Sequence, residues 1–328
     1  MGSARVVALL ALAGLIVATA ACALIPAPAP KLTPVTVQLR WTHQAQFAGF
    51  YAADQKGYYA AEGLAVTLRE GGPQVDFFTP VLDGSAQFGI YNADSLITLR
   101  AEGKPLRAMA VIYRRSPTVL IALADSGITR PLDLPGKRIA VGRAAGPFLT
   151  TWMARAGVPP GQYTTVDSTT DLSPFYHGDV QARVVFLTNE IITARAEGYS
   201  VNIIYPDDYG IHFYADTLFA SDDLIANKPD LVRRFLRASL KGWTYAVENP
   251  TMVGPMALAY KPDADVALEI AKMTAIMPLV NTGEDYIGWM KPEMWDGMEK
   301  TLREQGVLTK PVDTAQVYTM QFLQEIYK

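Results

Sequence analysis

The sequence predicts an α/β protein built from two lobes, and three observations point to this fold class. Predicted strands alternate with predicted helices along most of the chain, which is the pattern of largely parallel sheets covered by helices. A turn-rich stretch at residues 125–136 divides this alternation into two units. The chain has 328 residues, and this length is enough for two lobes that each bury a core.

The first unit opens with a strand, a loop and a helix. Residues 35–41 alternate and end at an aromatic residue, which predicts a strand. Residues 44–57 carry aromatic side chains at helical spacing and end at a glycine, which predicts a helix. Further strands are predicted at residues 64–69, 86–91 and 107–113, with a helix from about residue 94.

The second unit begins after the turn-rich stretch. Residues 137–142 predict a strand, and Pro147 suits the first turn of the helix that follows. Two more strands are predicted at residues 182–187 and 201–205, and residues 218–221 predict a strand that returns to the first lobe. From Asn227 onward the apolar residues recur at helical spacing, so the remaining chain is predicted to be mostly helical.

The N-terminus has the pattern of a bacterial lipoprotein signal peptide. Arg5 precedes an apolar run, and small residues lead into Cys22, the only cysteine of the chain. We therefore expect residues 1–21 to be removed and Cys22 to carry the lipid, although position 19 is Thr where such sites more often have Leu. The alternative is an uncleaved anchor helix. The proline-rich residues 22–34 predict an extended tether.

Composition excludes several function classes. The formal net charge of −3 argues against nucleic acid as a partner. A single cysteine rules out an intrachain disulfide, and the three histidines have no metal-ligand spacing. We therefore expect neither a metal nor another cofactor.

Several motifs in order resemble one family of transport proteins. They are Trp41-Thr-His-Gln-Ala-Gln-Phe-Ala-Gly-Phe-Tyr51 with its continuation to Leu64, Arg69-Glu-Gly-Gly-Pro73, Asn189-Glu190, Asp208-Tyr-Gly210 and the segment 229–243. Together they closely resemble the thiamine-precursor and sulfonate-type solute-binding proteins of ABC importers, nearest the pyrimidine- and riboflavin-binding branch. The resemblance covers essentially all of residues 35–328.

The resemblance implies a two-lobed type II periplasmic-binding fold with a ligand cleft between the lobes. Lobe I would comprise residues 35–124 and 217–328, and lobe II residues 125–216. It further implies a monomeric receptor, without enzymatic activity, that delivers its ligand to an ABC permease and its ATPase. Cys22 would hold this receptor on the extracytoplasmic face of the cell membrane through its lipid.

The expected ligand site combines aromatic walls with polar groups that read ring nitrogens. Trp41 and Tyr51 match the first requirement of the heterocycle-binding branch by position, and Asn189 with Glu190 match the second. Several candidates also follow predicted strands directly, where α/β proteins bind ligands. The predicted ligand-binding residues are Trp41, Gln44, Tyr51, Tyr91, Asn92, Tyr113, Asn189, Glu190 and Tyr209. The alternatives are core packing for Trp41, Tyr91 and Tyr209, and helix capping for Asn189 and Glu190.

The ligand class stays open at this point, with riboflavin slightly favoured over a formylaminopyrimidine or thiamine pyrimidine precursor. Many Tyr, Asn, Gln and Thr residues near predicted strand ends suit a long ring with a hydroxylated tail. An alkanesulfonate is the third candidate, since Arg143 precedes a predicted helix N-terminus that favours anions; alternatively, Arg143 supports the lobe interface. A pyrimidine synthase-like enzyme is the competing class, but such synthases depend on a cysteine-rich iron-binding segment, and none occurs here.

Overall fold

Two five-stranded mixed sheets form the centre of the computed structural model, which describes residues 31–328. The strands are β1 (Thr33–Gln38), β2 (Leu64–Arg69), β3 (Phe88–Tyr91), β4 (Leu106–Tyr113), β5 (Thr118–Leu123), β6 (Arg138–Val141), β7 (Thr164–Asp167), β8 (Ala182–Phe186), β9 (Val201–Ile204) and β10 (Ala215–Ser221). Residues Thr33–Lys328 form one compact unit. The predicted signal peptide, Cys22 and most of the tether lie outside the described residues.

Helices cover both sheets and fill the C-terminal third of the chain. They are α1 (Ala48–Gln55), α2 (Tyr58–Ala61), α3 (Thr79–Leu82), α4 (Ala93–Ala101), α5 (Gly146–Arg155), α6 (Ser173–Tyr176), α7 (Glu190–Ala196), α8 (Asp222–Asn227), α9 (Pro229–Glu248), α10 (Val253–Ala257), α11 (Val266–Val280), α12 (Pro292–Glu304) and α13 (Gln321–Ile326). In the described part of the chain, no helix is both long enough and apolar enough to cross a membrane.

The first sheet has the strand order β2-β1-β3-β10-β4. Its strands β1, β2 and β3 run parallel, as expected for strands joined through helices. Strand β10 lies antiparallel between β3 and β4. The chain therefore returns to the first sheet after completing the second, as the sequence predicts.

The second sheet has the order β7-β6-β8-β5-β9, with β5 antiparallel to both of its neighbours. Strand β5 was not predicted as a separate strand. Its pairing shows that the second sheet begins at Thr118, just after the first crossover, which follows Tyr113. The lobe boundary at residue 125 stays a prediction, and this pairing favours an earlier one.

Two glycines let helices α1 and α9 approach closely. A Cβ atom at Gly49 would lie 2.2 Å from the Trp243 ring, and one at Gly242 would lie 2.1 Å from the Gly49 carbonyl oxygen. Both positions therefore require glycine. This packing anchors α1, and α1 directly follows the loop that carries several of the predicted site residues.

Candidate functional site

A cleft lies between the two sheets, at the carboxyl ends of their parallel strands. The space between its walls is about 690 Å³, a volume that includes open solvent. Trp41 follows β1, Asn92 follows β3, Arg143 follows β6 and Asn189 follows β8, and all four line this cleft. This arrangement, with the site at the carboxyl ends of parallel strands, is the one that α/β proteins use for ligands.

Six of the nine predicted site residues line the cleft. They are Trp41, Gln44, Tyr91, Asn92, Asn189 and Glu190. A short loop brings part of the first wall into place, because a Cβ atom at Gly71 would lie 2.3 Å from the Leu39 carbonyl oxygen. Only glycine permits this approach, and the adjacent residues Gly72 and Pro73 reach the cleft as a result.

The other three predicted residues are not on the cleft wall, which corrects the sequence expectation. Tyr51 and Tyr113 are both 0% exposed. The Tyr51 hydroxyl accepts a hydrogen bond of 3.0 Å from the Gln44 backbone N–H, and the Tyr113 hydroxyl donates one of 3.3 Å to the Gln46 carbonyl. These two tyrosines hold the 44–46 loop from beneath. Tyr209 lies in the second crossover, where its carbonyl accepts from Arg155 Nε at 2.8 Å.

Arg40 is the central cleft residue that the sequence prediction missed. Its guanidinium carbon lies 4.5 Å from the centroid of the Tyr91 ring and 4.5 Å from that of the Phe186 ring. Tyr91 belongs to the first sheet and Phe186 to the second, so this contact spans the cleft. The opposite face of Tyr91 packs on Phe77 at 4.9 Å. Tyr91 therefore has no free ring face for a ligand and instead holds Arg40.

Asp216 neutralises Arg40 from beneath the cleft. Arg40 Nη1 lies 3.1 Å from Asp216 Oδ1, and Gln46 Nε2 donates to the same carboxylate at 2.8 and 3.1 Å. Asp216 is 0% exposed and has a backbone φ of 34°, a conformation that costs free energy for a residue other than glycine. Burial raises the pKa of Asp216 above its ordinary value, although the Arg40 charge and the hydrogen bonds from Gln46 and Arg40 lower it in part. The pair adds no net charge to the site.

Glu190 has a structural contact as well as a place on the cleft wall. Its Oε2 accepts a hydrogen bond of 3.0 Å from the Phe186 backbone N–H. This bond ties the start of α7 to the end of β8. It is not a helix cap, because the Phe186 N–H belongs to the strand and not to α7. Asn189, the residue preceding α7, makes no capping hydrogen bond with its side chain. Its amide is therefore available to the cleft.

Thr118 is a second cleft residue that the sequence prediction missed. It is 3% exposed, lies on the cleft wall at the start of β5, and its Oγ1 has no hydrogen-bond partner among the described residues. Buried hydroxyl groups are normally hydrogen-bonded. An unpartnered hydroxyl on a cleft wall indicates a position that a ligand or water completes.

Arg143 lies at the cleft rim. Its Nη2 donates a hydrogen bond of 2.9 Å to Gln74 Oε1, and Asp167 Oδ2 lies 3.9 Å away. The Arg143 side chain is 73% exposed. The contact with Gln74 joins the two lobes, which agrees with the interface alternative more closely than with an anion anchor.

Comparison with known proteins assigns the chain to a family. The family model described as NMT1/THI5 like matches residues 44–252. The riboflavin-binding protein RibY of Chloroflexus aurantiacus is 28% identical over 93% of this chain and 91% of its own length. A 4-amino-5-hydroxymethyl-2-methylpyrimidine phosphate synthase of Legionella pneumophila is 24% identical over 88% of this chain and 92% of its own length. The formylaminopyrimidine-binding protein of Halalkalibacterium halodurans is 24% identical over 86% of this chain and 88% of its own length.

Solved structures show the fold. A protein from Bordetella bronchiseptica RB50 superposes with a TM-score of 0.74 at 16% identity, over 90% of this chain and 97% of the other. The periplasmic aliphatic sulphonate binding protein SsuA of Escherichia coli gives a TM-score of 0.66 at 16% identity, over 87% of this chain and 91% of the other. The two-lobed periplasmic-binding-protein fold predicted from the sequence is thereby confirmed.

Proposed function

This chain belongs to the NMT1/THI5-like family, and from this premise we propose that it is an extracytoplasmic solute-binding protein of an ABC importer. Its ligand would be a planar nitrogen heterocycle, with riboflavin favoured. The cleft between the two sheets, which buries aromatic and neutral polar side chains together, is the observation that carries this proposal. The name of the Chloroflexus relative supports the choice of ligand.

The polar groups of the cleft suit a largely uncharged ligand. Gln44, Gln46, Asn92, Thr118 and Ser168 line it with amides and hydroxyls. Such groups donate to and accept from carbonyl, ring nitrogen and hydroxyl groups. A ligand with a long ring and a hydroxylated tail uses more of these partners than a single small ring does.

The charges of the cleft disfavour an anionic ligand. Arg40 is paired with Asp216, Arg143 is exposed and bound to Gln74, and Glu190 adds a carboxylate to the wall. A sulfonate held here would lack a buried, uncompensated cation. Burying such a charge without a partner is costly. We therefore place an alkanesulfonate behind the neutral heterocycles.

A pyrimidine precursor of thiamine is the second candidate, and Glu190 favours it. A carboxylate accepts hydrogen bonds from an exocyclic amino group, and Glu190 Oε2 is the oxygen already bound to Phe186. Its other oxygen is left for a ligand. The formylaminopyrimidine-binding relative supports the same candidate.

An enzyme is the competing class, because one relative of nearly equal length is named a synthase. We propose transport instead, since the only cysteine of this chain is Cys22, at the predicted lipidation site. That residue would anchor the protein to the membrane, where it would meet its permease.

Co-purification tests the proposal directly. The protein, isolated from cells grown in rich medium, should carry a yellow ligand with flavin absorbance that is recovered unchanged after denaturation. Parallel titrations with riboflavin, a formylaminopyrimidine and an alkanesulfonate then rank the three ligands. Binding of the sulfonate alone would overturn the heterocycle proposal, and recovery of a chemically altered ligand would favour an enzyme.

A further inference from the structure

The Arg40 guanidinium carries hydrogen-bond donors that the protein leaves unused. Arg40 is 8% exposed and lines the cleft. Its Nη1 donates to Asn92 Oδ1 at 2.5 Å and to Asp216 Oδ1 at 3.1 Å. A guanidinium has five N–H donors, so those on Nε and Nη2 remain without an acceptor among the described residues. Neither nitrogen belongs to the fully buried unpartnered groups of the described residues, so both are open to the cleft. These donors therefore point to an acceptor that arrives with the ligand.

The surrounding residues hold this guanidinium in one orientation. The rings of Tyr91 and Phe186 lie on either side of it, each with its centroid 4.5 Å from the guanidinium carbon. Phe77 supports the outer face of Tyr91 at 4.9 Å. Asn92 and Asp216 bind Nη1, and the two rings fix the plane of the guanidinium. The edge formed by Nε and Nη2 is therefore already oriented toward the cleft before a ligand binds. A pre-ordered donor edge binds its partner at a lower entropy cost.

We propose that Arg40 is the specificity-determining residue of the cleft and that it recognises the carbonyl edge of a flat heterocycle. The inference rests on the proposed function and names the ligand edge that Arg40 reads. Its donors would bind a ring carbonyl oxygen and the neighbouring ring nitrogen or second carbonyl, as guanidinium edges bind paired acceptors.

Charge compensation explains why a carbonyl, and not a sulfonate or phosphate, is the partner. Asp216 already neutralises Arg40 at 3.1 Å and is itself fully buried. An anion at the free edge would face this carboxylate through the guanidinium and would leave the site with an excess negative charge. A neutral carbonyl accepts the same donors without that penalty.

Replacing oxygen by sulfur in the ligand tests the proposal on the wild-type protein. Riboflavin is compared, by isothermal titration, with analogues in which one pyrimidine carbonyl oxygen is sulfur, a weaker acceptor. One of these analogues should bind the wild-type protein about 10- to 100-fold more weakly than riboflavin, the range of a lost hydrogen bond to a charged group. Equal affinities for all of them would overturn the proposal.

The Arg40→Lys variant keeps the positive charge next to Asp216 but removes the planar donor edge. It should bind riboflavin more weakly and should lose most of the preference for oxygen over sulfur. Trp41→Phe is the matched control on the same wall, and it should weaken all the flavins by a common factor. If the sulfur analogue still binds Arg40→Lys more weakly than riboflavin by the wild-type factor, Arg40 has a packing role alone and the proposal is overturned.

Two further measurements separate the possible failures. Thermal melting followed by circular dichroism shows whether Arg40→Lys is folded, and the wild-type comparison of oxygen and sulfur ligands stands without that variant. Absence of riboflavin binding by the wild-type protein overturns the proposed ligand and this inference together. Riboflavin binding with no role for the Arg40 edge overturns this inference alone.

Discussion

Arg143 and Gln74 join the two lobes at the cleft rim through a hydrogen bond of 2.9 Å from Arg143 Nη2 to Gln74 Oε1. Gln74 belongs to the loop that follows β2, and Arg143 to the segment between β6 and α5. Because the arginine side chain is 73% exposed, water competes for both partners. Contacts of this kind contribute roughly 0–1 kcal/mol.

Arg143→Ala should therefore change the affinity for riboflavin by less than about fivefold, which corresponds to the upper end of that range. The Gln74→Ala variant is the matched control, since it removes the other half of the same contact. Both should behave alike in titrations at low and high salt. A loss of about 100-fold confined to Arg143→Ala would instead assign this residue to the ligand, as an anion anchor requires.

Trp41→Ala should weaken ligand binding by about 1–3 kcal/mol through lost stacking and lost apolar burial. Trp41 is half-buried on the cleft wall, so its removal should leave the melting temperature nearly unchanged. Its fluorescence should also be quenched by the ligand. Trp243 is 0% exposed and provides the contrast, because Trp243→Ala should cost roughly 3–5 kcal/mol of folding stability. If Trp41→Ala unfolds in the same way, Trp41 is a core residue.

Glu190→Gln separates ligand recognition from the structural contact with Phe186. Glutamine keeps an oxygen for the Phe186 N–H, which Glu190 binds at 3.0 Å, so the stability of the fold should not change. Loss of a charged hydrogen bond to the ligand should weaken binding by about 1.5–3 kcal/mol. A ligand analogue methylated at the recognised edge should bind both proteins equally. Unchanged affinity of Glu190→Gln for the unmodified ligand would leave Glu190 with the structural contact to Phe186 only.

Asp94 should make the folding stability depend on pH. It is 4% exposed, lies in the first turn of α4, and its Oδ1 has no hydrogen-bond partner among the described residues. Burial raises the pKa of Asp94 to about 6 from an ordinary value of 3.8. The native state therefore binds more protons than the unfolded state between these values, and its contribution to stability falls as pH rises through this window, by up to about 3 kcal/mol.

Asp94→Asn removes this titration because asparagine stays neutral. Urea unfolding at intervals from pH 4 to 7.5 measures the free energy of unfolding of both proteins. The wild-type protein should lose stability relative to Asp94→Asn as the pH rises from 4 to about 6. Above about pH 6 the difference between the two free energies of unfolding should stay constant. A difference that does not vary with pH would show that Asp94 does not titrate in this range.

Cys22→Ser should prevent lipidation and leave either an unprocessed precursor or protein released from the membrane fraction. Mass spectrometry of the mature N-terminus in the native host measures both processing and acylation. A mature protein that begins at an acylated Cys22 supports the lipoprotein proposal. Exported protein that still begins at Met1 would contradict it.

The sequence by itself determined the α/β class, the order of most elements and the strand ends at which the cleft forms. These features depend on neighbouring residues, because apolar periodicity and turn residues act within a few positions. Trp41, Asn92 and Asn189 could be placed on the cleft for this reason. Strand β5 escaped prediction, since a short buried apolar run has no alternation that marks it as a strand.

Only the tertiary structure decided which polar groups pair across the molecule. Arg40 and Asp216 are separated by 176 positions along the chain, and they meet because β10 returns to a place between β3 and β4. The same packing covers Tyr51 and Tyr113 completely, so two aromatic residues with suitable spacing support the cleft from below and do not line it. Burial and pairing depend on elements that are distant in sequence, and a local pattern does not encode them.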